Sequence, residues 1–170
     1  MSPPDPISLM CLAPEPQCRD VLALRLSADL ANLLNFDKGL PDGIKTRKGA
    51  PLETSETILS FTRDWCQKKS AMYFAIVLHK RQAIGSISLS HLNSYNRSAQ
   101  CGYWIGSAFQ GQGYGTGAFS KVLTISRELG LRQLSATIQT ANVASKRIWQ
   151  NAGASFQYGE SEIRATIVFS

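Results

Sequence analysis

Gln110-Gly111-Gln112-Gly113-Tyr114-Gly115-Thr116-Gly117 places four glycines in eight residues, after an apolar stretch that reads as a strand and before a run of helical periodicity. A strand-turn-helix junction of this kind turns unpaired backbone N–H groups and the positive end of a helix dipole toward its opening, and both favour an anion. Glycine permits positive φ and removes the side chains that would keep a pyrophosphate away from the amides. The stretch therefore reads as a phosphate cradle. A plain flexible linker would not need the strand and helix that flank it. Two common cradles do not fit. Gly113 to Ala118 satisfies G-x-G-x-x-A, but a dinucleotide fold also wants an acidic residue about 20 positions on, where this chain has Gln139 and Thr140. The P-loop requires Gly-Lys-Ser/Thr, which does not follow these glycines.

Upstream of the turn the texture is β. Met72 to Leu78 is a compact apolar run, His79 to Gln82 is a polar turn, and in Ala83 to Leu92 Gly85, Ile87 and Leu89 alternate with Ser86, Ser88 and Ser90. This predicts an antiparallel hairpin, and after a turn at Asn93 to Arg97 the residues Gln100 to Ile105 add another strand. Such a succession argues against a doubly wound dinucleotide fold, which alternates strands with helices. Downstream, Ala118, Phe119, Val122, Leu123, Ile125 and Leu129 recur at helical spacing, and Gly130 is placed to end the helix. Leu134, Ala136 and Ile138 alternate as a strand, Asn142 caps a short helix reaching about Ala152, and strands follow at Ala154 to Tyr158 and Glu162 to Phe169.

Toward the N-terminus, Ile7 to Leu12 predicts a first strand, with a Pro-rich turn at Pro14 and Pro16. A helix is expected from Arg19 to near Gly39, carried by Val21, Leu22, Leu24, Leu26, Leu30, Leu33 and Leu34. Pro41 to Pro51 reads as a polar, basic loop. Thr54 or Ser55 caps a second helix through Lys68, with Ile58, Leu59, Phe61, Trp65 and Cys66 facing inward.

The 170 residues suit one domain, 1–170, with the first six residues frayed. A 44% hydrophobic and 18% charged composition excludes wholesale disorder. No apolar run approaches the roughly 20 residues of a membrane span, and no secretory signal opens the chain, so a cytoplasmic protein without membrane contact is expected. Cys11, Cys18, Cys66 and Cys101 form no C-x-x-C pair and only His79 and His91 could join them, so free thiols and no metal site are expected. The net charge of +6 favours anionic partners without choosing among them.

Gln110-x-x-Gly113-x-Gly115 after Gly102-Tyr103-Trp104-Ile105, followed by Asn142-x-x-Ser145 and then Gly153, resembles the GNAT family of N-acetyltransferases. The branch it resembles most is the RimJ/RimL type, which acetylates the N-termini of ribosomal proteins. The resemblance implies an α/β (α+β) domain whose central, mostly antiparallel sheet is splayed after the fourth strand, here Gln100 to Ile105, with helices on both faces. It implies acetyl-CoA as co-substrate, with its pyrophosphate on the loop amides and its pantetheine arm along the splayed strand. Trp104, Ile105, Gln110, Gly111, Gln112, Gly113, Tyr114, Gly115 and Thr116 are then the cofactor surface. Asn142 is a good N-cap in its own right, and in the family the matching Asn also hydrogen-bonds the pantetheine. Lys146 and Arg147 are either a solvated helix face or partners of CoA phosphates.

The implied chemistry is attack of a neutral amine on a thioester, which calls for an oxyanion donor and a proton for the leaving thiolate. Many relatives place a Tyr on the second-motif helix four residues before the glycine, here Gly153, where this chain has Trp149, whose indole donates a hydrogen bond but is no useful acid. The N-terminal branch keeps a Ser at the position of Ser145, so Ser145 is the candidate catalytic residue for the thiolate; otherwise it is a water-exposed residue of the first helical turn. Relatives in that branch often carry Glu where this chain has Gln100. Glu160, Glu162 and His91 remain candidate bases. The expected activity is acetyl transfer to a primary amine, first a protein or peptide N-terminal α-amine, with polyamines and aminoglycosides as alternative acceptors. The rival readings are a non-catalytic acetyl-CoA sensor and, from charge alone, a nucleic-acid-binding module, but no aromatic-basic RNA motif supports the latter and no direct nucleic-acid contact is expected. A monomer or homodimer is expected.

Overall fold

The computed structural model describes residues 5–12 and 21–170. The turn expected at Pro14 and Pro16, the helix start expected at Arg19, and Cys18 lie outside the described residues. Along the chain run β1 (Ile7–Cys11), α1 (Val21–Phe36), α2 (Ser55–Lys68), β2 (Met72–Leu78), β3 (Gln82–Asn93) and β4 (Ser98–Ile105). A short 3-10 turn (Ser107–Phe109) leads to α3 (Tyr114–Glu128), β5 (Gln133–Gln139), α4 (Val143–Asn151), β6 (Ser155–Tyr158) and β7 (Glu162–Val168). The strands form one mixed sheet in the order β1-β2-β3-β4-β5-β7-β6.

One junction controls everything that follows. All neighbours are antiparallel except β4 and β5, which pair in parallel over only Ser98↔Gln133, Ala99↔Leu134 and Gln100↔Ser135. Beyond Gln100, β4 continues against β3 to Ile105 and β5 continues against β7 to Gln139. The strands are joined no further, so a wedge opens in the middle of the sheet, where the sequence placed the splay.

Side-chain alternation divides the sheet into two faces. Phe74, Ile76, Ile87, Leu89, Leu134 and Ile163 meet Phe119 and Val122 of α3 and Trp149 of α4 on one face. Ala75, Val77 and Ala83 meet Leu26 and Leu30 of α1 and Ile58 of α2 on the other. At about 1.5–3 kcal/mol for each fully buried large apolar side chain, the two layers supply the driving force that clamps the helices to the sheet. Ser86, Ser88 and Ser90 are buried as well, because α1 packs over β3 and Asp29 of that helix accepts the Ala83 amide at 2.9 Å.

The helices are offset slightly from their predicted bounds. Helix α1 buries Ala23, Leu26, Ser27, Leu30 and Ala31, a stripe at i, i+3, i+4, i+7, i+8, and leaves Val21 exposed. It ends at Phe36 rather than near Gly39, because the Asp37 carboxylate takes the Gly39 amide and folds the chain away. Thr54 caps α2 through a capping box with Thr57. Phe61, expected inside, is 58% exposed; the buried positions are Ile58 and Thr62, and successive residues sit about 100° apart around a helix. At the N-terminal end Asp5 and Pro6 are anchored rather than frayed. Asp5 accepts the Ile7 amide and pairs with Lys121 at 2.8 Å, and the Pro6 carbonyl accepts the His79 amide.

Candidate active site

Helix α3 begins at Tyr114, four residues ahead of the apolar periodicity, so Gly115, Thr116 and Gly117 form its first turn. Its N-cap is Gly113 at φ 84°, ψ 3°, left-handed backbone that glycine adopts without penalty and that other residues adopt at a cost. The first amides of any α-helix lack intrahelical partners, and a glycine N-cap has no side chain to offer them. The turn is held from behind. Gln110 Nε2 donates to the Ile105 carbonyl at 3.0 Å, and Gln112 Nε2 donates to the Ala108 carbonyl at 3.3 Å.

These uncapped amides border a cavity of about 390 Å³ beside the part of β4 that is no longer paired with β5. Trp104 and Ile105 of β4, Asn142, and every member of the Gln110 to Thr116 turn except Gln112 line it. The expected cofactor surface is thus brought together, apart from Gln112, whose side chain is used within the loop. A Cβ built on Gly115 would stand 3.3 Å from Ile105, 3.4 Å from Ile148 and 3.7 Å from Tyr103. The absence of a side chain there keeps the waist of the cavity open. Asn142 caps α4 by accepting the Ser145 amide on Oδ1 at 3.1 Å, which leaves its NH₂ group as a donor at the cavity wall. Arg147 also lines the cavity and is its one formal charge among the described residues; Lys146 instead sits over the Tyr158 ring, 4.9 Å from its centroid.

Ser145 is not exposed. It is buried, outside the cavity lining, and hydrogen-bonded to the hydroxyl of Tyr103, which does line the cavity. Burial pushes the Tyr103 phenol above its ordinary value while the Ser145 hydrogen bond works in the opposite direction, and the phenol is protonated at neutral pH. Trp149 is 1% exposed and packs against Phe119 with the rings tilted by 53° and their centroids 4.8 Å apart, so the position is a core position here. Trp104 is fixed from the other face: its indole N–H donates to Tyr73, which also bonds Ser86. Cys101, on β4 beside these groups, is fully enclosed, and burial pushes its thiol up to about 12.

Sequence reasoning missed Tyr103 as a site residue and missed the opposite wall. That wall is Leu40 together with Pro41 and Ile44, the last two from the segment read as a polar loop. It is built by two side chains at the end of α1. Asn35 accepts from Thr46 and the Glu53 amide and donates to the Glu53 carbonyl; Asp37 accepts the Ser107 amide at 2.7 Å and the Ser107 hydroxyl. Burial pushes the Asp37 carboxyl up, but the bonds from the Ser107 hydroxyl, the Ser107 amide and the Gly39 amide outweigh it and hold the group below the ordinary aspartate value. Gln100 and His91 line a separate cavity on the sheet face, and Glu160 and Glu162 line neither. No group of three or more metal-ligating side chains occurs among the described residues, and no helix among them is long and apolar enough to cross a membrane.

The acetyltransferase (GNAT) domain family matches residues 23–155. The "Putative ribosomal N-acetyltransferase YdaF" of Bacillus subtilis (strain 168) is 33% identical over 78 residues, which is 45% of this chain and 43% of that protein. Among solved structures, Mycobacterium smegmatis RimJ in complex with CoA-disulfide superposes with a TM-score of 0.70 at 18% identity, over 85% of this chain and 78% of that one. A spermidine N-acetyltransferase SpeG chimera from Vibrio cholerae and hSSAT gives a TM-score of 0.69 at 16% identity, over 96% of both chains. At such identities the structural likenesses establish the fold.

Proposed function

This chain belongs to the GNAT acetyltransferase family, and on that premise we propose that it moves an acetyl group from acetyl-CoA to a primary amine, a peptide or protein N-terminal α-amine first, in the cytoplasm. The observation that carries the reading is the uncapped start of α3 opening onto the wedge between β4 and β5. The amides of Gly111 to Thr116 suit a pyrophosphate, with Arg147 as a further cation. The backbone of β4 beyond Gln100, no longer paired with β5, suits an amide-bearing arm, and the Asn142 NH₂ group supplies another donor. The names of RimJ with its CoA-disulfide and of the YdaF relative support the same choice of co-substrate and acceptor.

The chain's own groups then divide the work. The amine nitrogen attacks the thioester carbonyl carbon, the C–S bond breaks, and the sulfur leaves as thiol while the new amide sheds one proton. Tyr103, the phenol of the cavity wall, is the proposed hydrogen-bond donor to the leaving sulfur. Its raised pKa makes it a steady donor rather than a strong acid, since a thiol near 8.5 holds its proton less tightly than this phenol. Ser145 positions Tyr103 from behind. Cys101 is no acyl carrier: with a thiol near 12, only about one molecule in 10⁵ is thiolate at pH 7. The proposed course is direct attack in a ternary complex.

The acceptor preference comes from charge. No carboxylate lines the cavity among the described residues, so a polyamine or aminoglycoside would bring several cations to a wall with no counter-charge. A site without a strong base also suits the weaker amine base: deprotonation at pH 7 costs about 1.4 kcal/mol for an α-amine near pKa 8 and about 4.6 kcal/mol for a lysine near 10.4. The test is acetyl-CoA-dependent thiol release with unblocked peptides, spermidine and an aminoglycoside in parallel. Peptides should turn over fastest; a faster polyamine or aminoglycoside would overturn the acceptor assignment, and no turnover with any amine would favour an acetyl-CoA sensor.

A further inference from the structure

A second cavity, of about 340 Å³, lies where the β4–β5 pairing ends, and both members of the last pair, Gln100 and Ser135, line it. It opens on the α1–α2 face of the sheet, but those helices pack on β2 and β3 and leave β4, β5 and β7 open there. The lining is polar apart from Ala99, with side-chain amides from Asn93, Asn96 and Gln133 besides Gln100. Its one permanently charged group is the Arg164 guanidinium, and no carboxylate lines it among the described residues. Arg164 spends one donor on Ser135 Oγ, at 3.3 Å, of the five that a guanidinium carries. Glu162 shares this face of β7 two residues away but stands outside the lining; His91 lies within it, its Nδ1 3.0 Å from Ser90 Oγ.

The two cavities lie along one strand. Residues of β4 that share a face are Trp104, Gly102 and Gln100: the first lines the wedge cavity, the last lines the polar one, and Gly102 between them is exposed and has no side chain to separate them. Alternate residues on a strand stand about 7 Å apart, so Trp104 and Gln100 are about 13 Å apart, and an extended peptide whose amine is held beside Trp104 reaches the polar cavity with its fourth or fifth residue at about 3.3 Å per residue.

We propose that the polar cavity is an acceptor subsite that takes a carboxylate at the fourth or fifth residue of a peptide substrate, with Arg164 as its partner. The inference rests on the acetyl-transfer reading and narrows its substrate class to peptides with an acidic residue close behind the free N-terminus. A guanidinium offers a carboxylate two parallel N–H bonds, and the surrounding amides offer neutral donors, so the match is to an anion rather than to a second amine.

The experiment compares peptide pairs differing only by Asp→Asn or Glu→Gln at residue 4 or 5, with wild type, Arg164→Gln and Arg164→Lys proteins. The acidic member should have a kcat/KM about 5–10 fold higher in wild type, a ratio that falls to near one in Arg164→Gln, is largely kept by Arg164→Lys, and shrinks in 0.5 M salt. A ratio of one in wild type, or a preference that survives Arg164→Gln, would overturn the subsite. If neither peptide is acetylated, the reaction assignment fails instead, and binding of the same pair to the CoA-loaded protein decides the subsite: tighter binding of the acidic peptide that is lost in Arg164→Gln upholds it, and equal binding refutes it.

Discussion

Replacing Gly113 and Gly115 separately should split stability from ligand binding. At Gly113 nothing lies within 4 Å of an added Cβ, but φ is +84°, so alanine pays only for left-handed backbone, about 1–2 kcal/mol. For a chain of this size that lowers Tm by roughly 2–8 °C. At Gly115 the backbone is helical and alanine favours the helix by up to about 1 kcal/mol, while the new methyl enters the cavity waist 3.3–3.7 Å from Ile105, Ile148 and Tyr103. Gly115→Ala should therefore leave Tm of the free protein unchanged or slightly raised. Acetyl-CoA binding should weaken about 5–150 fold, the scale of 1–3 kcal/mol for overfilling a packed site, and Gly115→Val should weaken it further. Calorimetric titration with CoA and acetyl-CoA, alongside melting curves with and without ligand, measures both. A folded Gly115→Val protein with undiminished CoA affinity would show that the glycine-rich turn does not hold the co-substrate.

Tyr103→Phe should lower kcat by about 10–100 fold with little change in KM for acetyl-CoA, because a bond to the leaving sulfur matters only in the transition state. Ser145→Ala should cost less, and almost nothing in the Tyr103→Phe background; additive losses in the double variant would show that Ser145 acts on the thiolate directly. Asp37→Asn should raise KM for acetyl-CoA and lower Tm at pH 7 by about 2–4 °C through loss of a charged acceptor for Ser107. Because the folded Asp37 pKa is depressed, its stabilisation is complete above the unfolded value near 3.9 and is lost as pH falls below it, so melting curves of the two proteins should converge toward pH 3. A constant difference across that window would show that the carboxylate charge is irrelevant to the loop.

Much of the site was legible because it is local. The uncapped turn at Gly113, the Asn142 cap and the splayed strand are each written in a few adjacent residues, and their order along the chain carried the family resemblance. Tyr103 was quoted in the motif yet not given a role, because what makes it a site residue is tertiary. Odd positions of β4 face α3 and α4, and only the docking of α4 brings the Ser145 hydroxyl to the phenol. The same docking explains why Ser145 is buried and why Trp149 is core rather than a replacement acid. Leu40, Pro41 and Ile44 were hidden in a segment of basic and polar residues, and their placement depends on Asp37 reaching Ser107 across 70 positions of sequence. Phe61 was misplaced because Ile58 and Thr62 define the buried seam of α2, and a hydroxyl holds the position that hydrophobicity would assign to the aromatic ring.

The most direct measurement is a competition followed by mass spectrometry. A peptide with a free N-terminus and no lysine is mixed with the same peptide N-terminally blocked and carrying one internal lysine, with acetyl-CoA, from pH 6 to 9.5. The account predicts that the unblocked peptide is acetylated preferentially, on its α-amine, with a rate that climbs with the amine's own titration and levels off near pH 8, without a separate limb from an enzyme base. Preferential lysine acetylation, or a limb near pH 6 that disappears when His91 or Glu160 is replaced, would contradict it.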